Sequence, residues 1–352
     1  MIKQPTPQAG GGDTPHLPAR PEGPRLPIAN ASKELGIFVL LLVLCAFVTV
    51  MSHGAFLHAD NLQNTSRLIG MYGIFSIGLG VVIITGGIDL SVGSLFALLG
   101  VLLAMMLTEW HWPWPLAVAA ILAGGALIGA FHGFLITRLN LQPFIVTLCG
   151  LLAYRGLARI ISGDGTKGFG VSAGFEKLQA FATGNLLGVP TPFVLLIIVA
   201  LIMGVVLHRS VYGRYLYAVG RNEEAARYSG VNSQRIIAGA YVISGLLAGL
   251  AAILIAFYTN SISPSSHGQA YELYGIAAAV LGGCSLRGGE GSIIGILLGT
   301  ALLQVLRNLV NLVTINGQAI PSSSEAVVVG VVILLGVAID EMIKRRAAKK
   351  VR

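Results

Sequence analysis

Leu68-Ile69-Gly70-Met71-Tyr72-Gly73-Ile74-Phe75-Ser76-Ile77-Gly78-Leu79-Gly80-Val81-Val82-Ile83-Ile84-Thr85 carries no charge and runs straight into Gly86-Gly87-Ile88-Asp89-Leu90-Ser91-Val92-Gly93-Ser94. An uncharged run of this length can cross the ~30 Å hydrocarbon core of a bilayer as a helix. Adjacent glycines then break the helix, and Asp89 stands where it can cap the span that follows. An acidic residue at a membrane break is costly and commonly functional. Asp89 contacts what passes through the membrane, or the run is a plain interhelical turn at the cytoplasmic face with Asp89 wetted, or it is a close-packed turn that controls helix position. The charge pattern described below favours the turn. Gly86, Gly87, Asp89 and Ser91 are therefore candidate translocation-path or helix-break residues, and Gly288 and Gly289 of a second Gly-rich turn join them.

The rest of the chain repeats the first signal. Of its 352 residues 55% are hydrophobic and only 11% charged, against about 25% charged in a soluble domain. Apolar runs fall at Leu35–Met51, Leu68–Thr85, Ser94–Leu107, Leu116–Ile136, Pro143–Ile161, Phe193–Leu207, Ile236–Tyr258, Leu273–Ser285, Ile293–Val313 and Glu325–Ile339. The expectation is an all-α, polytopic transmembrane bundle of about ten spans. Its frequent glycines suit close helix packing in lipid. Residues 1–33 read as a disordered tail, 34–341 as the membrane domain and 342–352 as a basic tail. The expectation is that no cleavable leader precedes the first span.

Positive charge orients the bundle. With the N-terminus inside, seventeen of the 23 Lys and Arg residues fall in cytoplasmic segments, and three fall outside. That bias predicts both termini in the cytoplasm and Trp112 at the periplasmic interface. It also accounts for the net charge of +8 without nucleic acid as a partner.

The longest basic loop, His208 to Arg235, contains Asn222-Glu223-Glu224-Ala225-Ala226-Arg227-Tyr228-Ser229-Gly230. Asn222 can N-cap a helix, Glu223 and Glu224 suit the positive end of its dipole, and Arg227 suits the negative end. Gly230 can supply the left-handed stop. About two turns result, too short to be stable alone. Such a helix either links two spans at the surface or is held by a partner protein.

Other features carry less chemistry. Arg155 and Arg159 share one helix face, poised to attract an anion or to snorkel to the interface. Glu290 reads as solvated. Cys45, Cys149 and Cys284 fit no metal spacing and read as small buried hydrophobes. Gly163-Asp164-Gly165-Thr166-Lys167-Gly168 lacks phosphate-loop spacing, and no catalytic, cofactor or metal motif occurs. Tyr72-Gly73-Ile74, Leu79-Gly80, Gly86-Gly87 and Gly93 echo at Tyr274-Gly275-Ile276, Leu281-Gly282, Gly288-Gly289 and Gly295. A duplicated half would produce that echo, as would chance in a Gly-rich chain.

Three stretches in order carry a family resemblance. Ile84 to Ser94, Tyr212 to Val231 and Leu281 to Ser292 resemble the signature, the coupling loop and the late Gly-rich turn of bacterial ABC-type monosaccharide importer permeases. That group belongs to the branched-chain amino acid and sugar permease superfamily. Cys284 stands where a small hydroxyl or alanine is more usual. The resemblance implies a type II importer fold in the inner membrane and a permease homodimer. It implies a separate ATPase docked on Asn222, Glu223, Glu224, Ala225, Ala226, Arg227, Ser229 and Gly230, and a periplasmic sugar-binding protein that delivers substrate. ATP would be bound by the partner, so the chain needs no cofactor and is no enzyme. Specificity residing largely in the binding protein would explain why no cluster of aromatics and carboxylates for a sugar stands out. A branched-chain amino acid permease is the alternative within the superfamily. An ion-coupled secondary transporter, the alternative outside it, would need carboxylates at the midplane.

Overall fold

A computed structural model describes residues 28–170, 174–315, 318, 319, 321, 324–331 and 334. The expected tail up to residue 27, seven of the fifteen residues of the tenth span and the basic end at 342–352 lie outside them. Helix begins at Ile28, inside the stretch read as tail.

The helices are α1 (Ile28–Met51), α2 (Ala59–Ile84), α3 (Val92–Thr108), α4 (Trp114–Arg138), α5 (Pro143–Ser162), α6 (Glu176–Thr183), α7 (Thr191–His208), α8 (Val211–Arg221), α9 (Glu223–Tyr228), α10 (Ser233–Thr259), α11 (Tyr271–Leu281) and α12 (Ile293–Leu312). Among the described residues seven are long and apolar enough to cross a membrane: α1, α2, α4, α5, α7, α10 and α12. The expected eighth span is shortened. Its helix α11 has 11 residues, about 16 Å at 1.5 Å per residue, roughly half a bilayer core. Gly282 and Gly283 end it.

Burial places α2 and α10 at the centre. Within their most apolar windows 83% and 78% of residues are buried inside the protein, against 6% for α1. Small residues bring α4 and α10 together. Gly125, Gly129 and Gly133 recur one turn apart on α4, and a Cβ on each would strike the backbone of Gly245, Tyr241 and Ala238 of α10. Close approach of this kind is how helices gain dispersion contacts in lipid, where the hydrophobic effect offers no help.

The two ends of the bundle differ. One holds α8, α9, the end of α2 and the start of α12. There Ser292 caps α12 by accepting from the Gly295 N–H at 3.0 Å and donates to Glu34 near the start of α1 at 2.5 Å. The other holds Trp110 and Trp112, with ring centroids 6.1 Å apart. The segment read there as one long loop contains α6 and a short strand, Lys167–Gly168, paired with Ser261–Ile262. Lys167 meets Glu109 at 2.5 Å. Arg159 grips Asp164 with two bonds of 2.8 and 2.7 Å, which hold that carboxyl below its ordinary range. Arg155, one turn earlier on α5, is held differently. Half-buried, it donates to the backbone oxygens of His267 at 2.6 Å, Pro264 at 3.2 Å and Gly93 at 3.4 Å. It neither snorkels nor waits for an anion; it ties α5 to the chain entering α11 and to the first turn of α3.

The echoed segments form two helix–break–helix units, α2–α3 and α11–α12. Their breaks meet, as described next.

Candidate functional site at the broken-helix junction

The end of α2 is a left-handed stop. Gly86 has φ +84°, the Gly86 N–H donates to Ile83 O at 2.9 Å, and the Gly87 N–H donates to Val82 O at 3.2 Å. That pair of bonds satisfies the last carbonyls of the helix. The positive φ belongs to Gly86, while Gly87 is constrained by packing: a Cβ there would lie 2.7 Å from Tyr241 Oη.

Beyond the stop the chain is pinned from three sides. Ile88 O accepts from Thr147 Oγ1 of α5 at 3.2 Å and from Tyr241 Oη of α10 at 3.3 Å. Asp89 is buried, 3% exposed, so the expectation of a wetted carboxylate is wrong. Its Oδ1 accepts from Ser91 N at 3.0 Å and Ser91 Oγ at 2.7 Å, and its Oδ2 accepts from Ser244 Oγ of α10 at 3.2 Å. These three donors replace the water a buried carboxylate must surrender. Asp89 does not cap α3 directly; it holds Ser91, the N-cap residue of that helix. Behind Ser91, His132 of α4 bonds Tyr154 of α5 at 2.8 Å.

Because all its bonds are acceptor bonds within the fold, Asp89 acts as a pin. Asp89→Leu leaves three donors unanswered. Each such buried group costs about 1–3 kcal/mol, so membrane abundance and uptake are both expected to fall steeply. Asp89→Asn keeps one acceptor oxygen and offers an N–H that Ser244 Oγ can accept, so it should retain abundance and much of the uptake. Abundance by immunoblot alongside uptake checks this. An Asn variant as inactive as the Leu variant, at normal abundance, would mean that the charge itself is used.

The second break arrives from the other side. Gly288 and Gly289 have φ +83° and +73°, and the Gly289 N–H donates to Ile84 O at 2.8 Å. The third component is α8, which sequence reading folded into a polar loop. Its signals were local: Ser210 caps it by accepting from the Gly213 N–H at 3.1 Å, and Leu216 and Val219 form its buried stripe. Tyr217 Oη donates to Gly291 O at 2.8 Å, and Tyr212 Oη donates to Ile236 O of α10 at 3.0 Å. At the last turn of α8, Gly220 lies directly on the junction. A Cβ there would overlap Ile84 O and lie 2.5 Å from Gly289 N; one on Gly288 would lie 2.6 Å from Gly220 O. Gly86, Gly220, Gly288 and Gly289 thus close one backbone-on-backbone knot.

Two residues past this knot, Asn222 ends α8 and starts α9, its Oδ1 accepting from the Ala225 N–H at 2.9 Å. Gly230, φ +84°, closes α9: its N–H donates to Arg227 O and the Val231 N–H to Ala226 O, each at 3.0 Å. Every residue from Arg221 to Gly230 is exposed except Ala226, which packs into the core. Glu223 Oε1 accepts from Arg227 and from Ser233 Oγ at 3.0 Å each, and Glu224 accepts from Tyr228, which is 84% exposed. Ser229 Oγ turns back to Ala225 O at 3.0 Å. A short, doubly capped, solvent-facing helix is therefore fixed to the meeting point of two broken helices. The helix α9 is thus joined directly to α8, and through Gly220 α8 abuts the end of α2 and the turn between α11 and α12.

Comparison with known proteins accords with this architecture. Residues 61–337 match the family described as the permease component of branched-chain amino acid transport systems. The ribose import permease protein of Escherichia coli (strain K12) is 40% identical, covering 86% of this chain and 92% of its own length. That of Bacillus subtilis (strain 168) is 37% identical, covering 91% and 96%. The fructose import permease protein of Bifidobacterium longum (strain NCC 2705) is 34% identical, covering 92% and 93%. With seven apolar helices and bacterial permeases as relatives, the chain is a multi-pass protein of the inner membrane, a transporter component rather than an enzyme. Matched over most of its length, it belongs to the family of permease components of branched-chain amino acid transport systems.

Proposed function

We propose that this chain is the membrane-spanning subunit of an ATP-binding-cassette importer that carries a monosaccharide into the cytoplasm. The substrate class rests on one observation: relatives 34–40% identical over most of both chains are ribose and fructose import permeases. The family description names branched-chain amino acids, and that is the competing reading.

The exposed position of α9 and the resemblance support a reading of the rest of the assembly. A separate ATPase seats on α9, the exposed capped helix, and supplies the nucleotide site. A periplasmic binding protein seats on the opposite end, where α6 and the 167–168 strand form a surface. The charge bias puts α9 in the cytoplasm, and Glu34 against Ser292 puts the start of α1 at the same end. Two permease copies form a homodimer around the path. Closure of the ATPase pair on ATP moves α9 and α8, the knot at Gly220 passes the displacement to both breaks, and the path opens alternately to each side.

The test is ATP hydrolysis by the purified complex. Binding protein loaded with ribose should stimulate hydrolysis severalfold over unloaded protein. Stimulation by a leucine-loaded partner, with none by any sugar, would overturn the substrate class.

A further inference from the structure

The chain between α10 and α11 enters the membrane without forming a span. It leaves the outer end of the bundle as the strand Ser261–Ile262, and residues 263–270 are turns rather than helix. Ile262 packs beside Gly100 of α3, and Gly268 reaches Gly93 in the first turn of that helix. A Cβ on Gly268 would lie 2.3 Å from Gly93 O, and one on Gly93 would lie 2.3 Å from Gly268 O. From Gly93 to its outer end at Thr108, α3 covers about 22 Å at 1.5 Å per residue. From the other side, the 11 residues of α11 hold Tyr271 about 16 Å from the junction. Against a hydrocarbon core of about 30 Å, the last turns before α11 therefore sit near mid-depth. Arg155 clamps them from α5 through Pro264 O and His267 O. His267 and Gly268 are buried, whereas Ser265, Ser266 and Gln269 are exposed. Irregular backbone with exposed polar side chains does not persist against lipid tails; at this depth it occurs only under protein cover or facing water.

We propose that Ser265, Ser266 and Gln269 line the water-filled path and hydrogen-bond the sugar as it crosses. The proposal deepens the sugar-import reading above and rests on it. All three side chains are uncharged, and each can both donate and accept. Ser263 Oγ, 3.1 Å from Ser265 Oγ, extends the row of hydroxyls. Such a surface matches a neutral polyhydroxylated ligand, whose every hydroxyl also does both. A zwitterionic amino acid would call for charged partners. Arg155, the cation in contact with this segment, is committed to backbone oxygens. Neutral contacts that exchange with water are also weak enough to let the ligand leave, as passage requires. The Arg155 clamp and the close Gly93–Gly268 contact hold the segment in place while its polar side chains face outward from the bundle.

The experiment has two arms, both on the complete transporter. In the first, Gln269→Cys is made in a chain also carrying Cys45→Ala, Cys149→Ala and Cys284→Ala, and the assembly is held in lipid nanodiscs. A charged, membrane-impermeant methanethiosulfonate is added with and without ATP. In at least one of these conditions Gln269→Cys is expected to react at least tenfold faster than Leu201→Cys, made at a residue of α7 that is 67% exposed on an apolar span. In the second arm, labelled ribose and, separately, leucine are offered to proteoliposomes. Gln269→Leu is expected to lower ribose uptake at least tenfold at unchanged membrane abundance and unchanged co-purification with the ATPase. Equal unreactivity at both cysteine positions would overturn the site, with or without a disulfide between copies, because the segment would then be covered. So would normal ribose uptake by Gln269→Leu, or a loss of abundance parallel to the loss of uptake. Wild-type uptake of leucine but no sugar would overturn the sugar-import reading and the ligand assigned here, even if the reactive cysteine still marked a water-filled path.

Discussion

Gly220→Ala is expected to reduce sugar uptake to background, a loss of at least about a hundredfold, although it adds one methyl group. The new Cβ would overlap Ile84 O and lie 2.5 Å from Gly289 N, two atoms bonded to each other at 2.8 Å. An overpacked core site typically costs about 1–3 kcal/mol because side chains can yield. Here the atoms met are backbone, so relief requires α8 to leave the junction. The position of α9 then no longer governs the breaks. Uptake and thermal stability of the detergent-solubilised complex are the readouts, with Gly204→Ala as control. Gly204 lies in α7 with nothing within 4 Å of the added Cβ, and replacing a helical glycine by alanine should be neutral or stabilising. Uptake above half of wild type in Gly220→Ala would show that the knot transmits nothing.

The second large effect concerns the exposed face of α9. Glu223→Arg with Glu224→Arg is expected to abolish co-purification with the ATPase while leaving the permease inserted. Truncating one partner of an interfacial charge pair commonly costs about 2–5 kcal/mol, and at 1.4 kcal/mol per decade that is about 30-fold or more in affinity. The cost to the fold is smaller but not zero. Glu223 also accepts from Ser233 at the start of α10 and pairs with Arg227, an exposed pair worth a few tenths of a kcal/mol. Glu224 reaches only Tyr228, so Glu224→Arg alone separates docking from folding. Intact pull-down in the double variant would reduce both carboxylates to a solvated cap. Collapse of abundance would make them part of the fold.

What the sequence disclosed follows the range of the interactions. The α9 cap was legible because Asn222, Ala225 and Gly230 interact within a few residues. The membrane class was legible because a bilayer demands long apolar runs. The fate of Asp89 was not, since one of its donors, Ser244, is 155 positions away. A lone carboxylate after two glycines reads the same whether wetted or pinned. The knot of Gly220 with Ile84 and Gly289 was hidden for the same reason: three conspicuous motifs gave no sign that they touch. The helix α8 was a plainer omission. Ser210, Leu216 and Val219 are its cap and stripe, overlooked because the loop's charge drew the eye. The shortness of α11 was missed because an apolar run does not say how much of it is helical. Tyr72, Tyr274 and Arg307 come from three helices, so no local window showed that the guanidinium packs on both rings. The echo did place Tyr72 and Tyr274 at matching positions, and their rings lie 6.4 Å apart.

In the proposed mechanism ATP hydrolysis by a partner, transmitted through α9 and the glycine knot, drives sugar across the membrane. The buried carboxylates Asp89 and Glu272 make ion coupling the sharpest rival, although Asp89 is committed to serine donors. Uptake of labelled ribose into proteoliposomes holding permease, ATPase and binding protein decides between them. Uptake is expected to require ATP, to persist when proton and sodium gradients are collapsed, and to disappear when the ATPase is omitted. Uptake driven by an imposed proton or sodium gradient, without ATP or ATPase, would contradict it.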